Sequence, residues 1–140
     1  VREQPVAGYS GRPLAQKLGI RDEMRLVVLA APRGYRSLLA PLPPGVVFVS
    51  RVAAADLVHW FVVRQRDLAA RIGSMARALD DAAVLWISWP KRTSGRVTDL
   101  TGDVLREVVL AHGLVDVKVC AVDDTWSALK FVRRLRERRG

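Results

Sequence analysis

Four runs of near-continuous apolar residues constrain this chain more than any other feature: Arg25 to Ala31, Val46 to Val49, Asp56 to Val63 and Ala83 to Trp89. They lack the in–out alternation of a half-exposed sheet and read as strands covered on both faces. Helical segments separate them. Arg64 to Leu79 is the longest, with Leu68, Ile72, Met75 and Leu79 on one stripe at three- and four-residue spacing. Parallel neighbours need such crossovers, so the pattern predicts an α/β, three-layer Rossmann-like, mainly parallel sheet.

The remaining elements follow from local signals. Gly8 to Ile20 reads as a turn and a short helix closed by Gly19, and Tyr35 to Ala40 as a second short helix stopped by Pro41. A loop from Lys91 to Asp99 leads to a helix over about Thr101 to His112, with Thr101 as N-cap and Gly113 as the stop. Val115 to Val122 and Trp126 to Arg134 are two more strands. The link Asp123-Asp124-Thr125 is too short for a crossover, so they form a C-terminal antiparallel hairpin.

At 140 residues the chain is expected to be one domain, over residues 1–134, followed by a basic tail at 135–140. A chain of this length buries roughly two-thirds of its unfolded surface and needs no cross-links. Val1 to Pro5 lacks the apolar core of a signal peptide, and Leu57 to Val63 is far shorter than the roughly 18 residues of a membrane span. With the lone Cys120, these features predict a cytoplasmic protein. The net charge of +9 is uneven: Lys130 to Gly140 holds six basic residues against Glu137. That segment offers nonspecific contact with nucleic-acid phosphates, although no nucleic-acid motif accompanies it.

In a parallel α/β sheet the turn after strand one is the usual place for a phosphate-cradling glycine fingerprint. Here the strand runs into Pro32-Arg33-Gly34-Tyr35, with one glycine and a proline that lacks an N–H. Ser50-Arg51 follows strand two. The richest strand-end segment is Trp89-Pro90-Lys91-Arg92-Thr93-Ser94-Gly95-Arg96. Its guanidinium forks and ammonium suit a phosphate or carboxylate. The candidate ligand site therefore comprises Arg33, Gly34, Tyr35, Arg51, Trp89, Lys91, Arg92 and Ser94. A solvated loop shaped by Pro90 and Gly95 is the competing reading.

No catalytic or metal set emerges from the residues. His59 reads as a satisfied core histidine, Cys120 as an inert buried thiol and Asp123-Asp124 as a turn. Trp86 and Trp89 fall on opposite faces of their strand, Trp86 in the core and Trp89 beside a pocket.

Four helix-linked strands with a terminal hairpin resemble a shortened class I methyltransferase. The blocks Ala7 to Leu14, Lys17 to Ile20, Leu85 to Lys91 and Gly113 to Asp123, continued by Trp126-Ser127 and Leu129 to Val132, resemble a bacterial family of small uncharacterised proteins with that fold, a domain of unknown function. The resemblance implies S-adenosylmethionine as a cofactor, held by a glycine-rich turn after strand one and an acid after strand two. Neither is evident here. The chain therefore reads as a non-catalytic binding or regulatory module for an anionic small ligand or a protein partner. The alternative is a divergent S-adenosylmethionine-dependent methyltransferase. Composition does not reveal the oligomeric state.

Overall fold

The computed structural model describes residues 12–135. Its six strands are β1 (Arg25–Leu29), β2 (Val47–Phe48), β3 (Leu57–Phe61), β4 (Val84–Pro90), β5 (Leu114–Ala121) and β6 (Trp126–Arg133). They form one sheet in the order β2-β1-β3-β4-β6-β5. β1 to β4 are parallel, whereas β6 runs antiparallel to both β4 and β5. The helices are α1 (Leu14–Leu18), α2 (Tyr35–Leu39), α3 (Gln65–Ala78) and α4 (Gly102–Leu110). This is the α/β architecture expected from the sequence, hairpin included.

The strand pleat sorts side chains into two cores. On one face Val58, Trp60, Leu85 and Ile87 meet Leu68 and Ile72 of α3 and Leu105 and Val109 of α4. On the other, Leu57, Phe61 and Trp86 meet α1 and α2. Each fully buried side chain such as Leu68 or Ile72 contributes about 2 kcal/mol. Trp86 is completely buried, and its indole N–H donates to the Leu18 carbonyl at 2.9 Å, tying α1 to the central strand. Trp89 packs on the opposite face.

Several ends differ from the sequence reading. β2 is two residues long rather than four: Val46 is held in a turn by a bond to the Pro43 carbonyl, and Val49 keeps a single bond to the Leu26 carbonyl past the strand end. β3 begins one residue later, at Leu57, although the Asp56 backbone already bonds Arg25 and Val84; the Asp56 carboxylate also accepts from the Arg25 amide and pairs with its guanidinium. β4 keeps Pro90, opposite Trp126. Thr101 caps α4 as expected, its hydroxyl accepting from the Val104 amide at 3.1 Å.

Two cations of the basic segment are engaged within the fold. Arg133 is buried, donates to the Ala76 and Leu79 carbonyls and pairs with Asp81 at 3.1 Å. Arg134 donates to the Leu110 and Leu114 carbonyls. These two cations hold the hairpin against the ends of α3 and α4 and are not available to phosphates. Apart from the exposed Leu135, the tail expected at 135–140 lies outside the described residues, as do Tyr9 and the rest of the N-terminal turn. No helix among the described residues is long and apolar enough to cross a membrane.

Candidate functional site

From β1 the chain moves one way to β2, then crosses back past β1 to β3. The crevice between the C-terminal ends of β1 and β3 is thus the topological switch point, where ligands gather in open α/β sheets. A cleft of about 550 Å³ opens there. Ala30 to Pro32 form one wall and Trp60 to Val63 another; Asp67 and Arg71 of α3, Arg96 and Trp126 complete it. Beside it, a second cleft of about 780 Å³ is lined by Trp89, Lys91, Arg92, Thr93 and Thr101, among others. Arg96 belongs to both, with its guanidinium 5.1 Å from the ring centre of Trp126.

Local chemistry explains how the loop after β4 presents its cations. The Lys91 amide donates to the Thr125 carbonyl at 2.7 Å, anchoring the loop on the hairpin. Arg92–Ser94 form a 3₁₀ turn closed by Gly95 at φ 78°. The Ser94 hydroxyl donates to the Lys91 carbonyl at 2.7 Å and accepts from the Arg96 amide. The Thr98 hydroxyl donates to the Val63 carbonyl at 2.6 Å, and the Asp99 carboxylate accepts from the Gln65 amide. The loop is thereby tied to the segment after β3. Ser94 shapes this turn, its hydroxyl already engaged, while Lys91, Arg92 and Arg96 are left to face the clefts.

The other candidate residues stand elsewhere on the same edge. Pro32 to Tyr35 form a turn in which the Tyr35 amide meets the Pro32 carbonyl at 3.2 Å. Gly34, at φ 84° and ψ 3°, supplies the left-handed conformation that a type II turn requires. Gly34 and Tyr35 line a smaller hollow of about 310 Å³, which shares Ala31 and Pro32 with the switch-point cleft. Arg33 and Arg51 are exposed and line none of these clefts. The structure thus unites Trp89, Lys91 and Arg92 and sets Arg33, Gly34, Tyr35 and Arg51 apart from them. Asp67, Arg71, Arg96 and Trp126 line the switch-point cleft and stand outside the eight candidate residues, Arg96 although it closes the Trp89 to Arg96 segment. Arg71 and Trp126, 55 residues apart in sequence, line the same cleft, a juxtaposition that no local spacing reveals.

Beneath the cleft lies a closed polar network. The Tyr35 hydroxyl is 2.5 Å from His59 Nδ1, and His59 Nε2 is 2.6 Å from Ser88 Oγ. In either tautomer one ring nitrogen donates and the other accepts, so both hydroxyls find a match. Burial drives the His59 pKa down to about 3 and raises that of Tyr35, so both groups stay neutral. His59 stacks on Phe61, and Phe61 meets Trp126 edge-on. This network braces the cleft floor from α2 to β6. Desolvation also raises the Cys120 pKa, which keeps its thiol protonated. Asp123 Oδ1 accepts from the Thr125 and Trp126 amides, the work of a turn residue.

The adenosyl cofactor implied by a methyltransferase-like fold finds a poor match among these residues. The turn after β1 holds Ala30 at φ 58° and a proline without an N–H. Exposed Ser50 and Arg51 follow β2 where a ribose-binding carboxylate would stand. The acid lining the cleft is Asp67, which comes from α3 instead.

No protein-family model matches the chain, and a search of curated proteins found no match. Solved structures do match. The DhpI–SAH complex is similar at 16% identity, covering 89% of this chain and 83% of that one, with a TM-score of 0.58. Aeropyrum pernix fibrillarin with natively bound S-adenosyl-L-methionine gives 13% identity, 85% and 73% coverage and a TM-score of 0.54. Magnesium protoporphyrin IX methyltransferase of Synechocystis PCC 6803, with bound SAM, gives 12%, 86%, 74% and 0.51. At these identities the likeness is one of fold, and the fold of this chain is that of the Rossmann-like class I methyltransferases.

Proposed function

We propose that this chain is a binding module on a methyltransferase-like scaffold, taking a small phosphate- or carboxylate-bearing ligand at the strand-end clefts without catalysing a reaction. One observation carries this reading: Arg96 stands between two adjoining clefts, over Trp126, on a loop pinned at Lys91, Ser94 and Thr98. A guanidinium held in place beside an apolar wall suits an anion attached to a flat or apolar body. The polar groups beneath the cleft bond one another and stay neutral, which favours a structural role for them over proton transfer.

We also propose that the chain is a member of the bacterial family of small proteins with this fold that its sequence blocks resemble. Its blocks Leu85 to Lys91 and Gly113 to Asp123 fall on β4 with the start of its loop, and on β5. A cytoplasmic location is part of the proposal too, since the single cysteine has no partner for a disulfide within the chain.

Titration of the protein with inorganic pyrophosphate, followed by calorimetry, tests the reading. Saturable binding is expected, weakened about tenfold or more by Arg96→Ala with an unchanged melting temperature. Equal binding by the variant would place the anion elsewhere. A second reading, a divergent S-adenosylmethionine-dependent methyltransferase, is favoured by the switch-point cleft and by the cofactor-bound structures that share the fold. S-adenosylhomocysteine retained by the purified protein in native mass spectrometry would support it.

A further inference from the structure

The cations of this chain are distributed unequally between the two edges of the sheet. Where the parallel strands begin, charge is internally matched: Arg25 pairs with Asp56 at 3.2 Å and Arg133 with Asp81 at 3.1 Å. Where they end, it is not. Arg33 follows β1, Arg51 follows β2, Arg64 and Arg66 follow β3, and Lys91, Arg92 and Arg96 follow β4. All are exposed except the half-buried Lys91, and none makes an ion pair with any described residue. Of the acids on this edge, Asp99 and Asp123 are engaged as acceptors for backbone amides, and Asp67, in the switch-point cleft, and Asp124 make no ion pair with a described residue. Unneutralised arginines on four successive loops make a track rather than a point site. A track fits a ligand whose charges repeat along a chain.

We propose that this rim docks a single-stranded polynucleotide, its phosphates lying along the arginines and one unstacked base entering the switch-point cleft. The inference rests on the preceding reading, because the rim encloses the clefts assigned there to an anion. A single strand is favoured over a duplex because the rim surrounds concave clefts walled by Trp89, Phe61 and Trp126, and only an unstacked base can enter them. Arginine is also the side chain that grips phosphate through paired hydrogen bonds.

The experiment is fluorescence anisotropy of the full chain with a labelled 20-nucleotide single strand, as RNA and as DNA, and with its duplex, over rising potassium chloride. The single strand is expected to bind more tightly than the duplex. For about four phosphate contacts its affinity falls about 50-fold between about 50 and 200 mM salt. Arg64→Gln with Arg66→Gln removes two track cations outside the switch-point cleft. It is expected to lower the slope of log affinity on log salt by about 1.4 and to leave the melting temperature unchanged. Replacing Arg136, Arg138 and Arg139 by serine is expected to leave most of the affinity. Four results would overturn the proposal: loss of binding in the tail variant, full binding in the Arg64/Arg66 variant, equal affinity for the duplex, or equal affinity for polyglutamate. If pyrophosphate binds and no oligonucleotide binds more tightly, the small-anion reading stands and the polynucleotide fails.

Discussion

Ala30 occupies a left-handed conformation, φ 58°, at the point where β1 gives way to the cleft. An L-residue with a Cβ is disfavoured there by about 1–2 kcal/mol, whereas glycine is not. Ala30→Gly relieves that strain but makes the unfolded chain freer, which offsets about 0.4–1 kcal/mol. A net gain of about 0.5–1 kcal/mol is expected in urea unfolding. Gly34, four residues on, is the converse case: its turn needs the positive φ although a Cβ there would touch nothing within 4 Å. His59 makes a second residue-scale prediction. Its pKa is about 3 in the folded protein and about 6.5 when exposed. The unfolded state therefore takes up a proton first as pH falls. The stability that the neutral ring contributes is complete above about pH 6.5 and is lost progressively down to about pH 3, at up to about 1.4 kcal/mol per pH unit. Unfolding measured between about pH 7 and 5 should show this fall in the parent and a flatter profile in His59→Gln.

At the scale of elements, the hairpin and the α3–α4 layer are joined by Arg133. Its guanidinium meets the carbonyls of Ala76 and Leu79 at 2.7 and 2.6 Å as well as Asp81. Removing one member of a buried charged set leaves the other uncompensated. Arg133→Met is expected to cost about 3 kcal/mol, measured by chemical denaturation; a loss below about 1 kcal/mol would show that the pair does not lock the hairpin. In the sequence Arg133 lies near the end of a predicted strand and counts among the six basic residues of Lys130 to Gly140 offered to phosphates. Composition cannot distinguish a solvated arginine from one that reaches an acid 52 residues earlier. The strands, α3 and the Thr101 cap were legible because each is written in adjacent residues: apolar runs, a helical stripe, a hydroxyl before an apolar helix. β2 was overread because its apolar residues lie beside a turn that takes up Val46. The cleft was half legible. The loop Trp89 to Arg96 announced itself by its charges, whereas Arg71, Asp67 and Trp126 converge only through strand order.

At the scale of the whole molecule, the sheet has two dissimilar edges. One is held by ion pairs and carries the hairpin lock. The other gathers two clefts, a pinned cationic loop and arginines without acidic partners among the described residues. A methyltransferase-like fold brings the switch point to that second edge, and the sequence there replaces a glycine-rich turn and a ribose-binding acid with proline, alanine and arginine. The most direct test is calorimetric titration of the full chain with S-adenosylhomocysteine. If the cleft takes another anion, as proposed, no saturable heat is expected up to millimolar ligand. Micromolar binding, abolished by a bulky residue in place of Ala31, would contradict that and restore the nucleoside site.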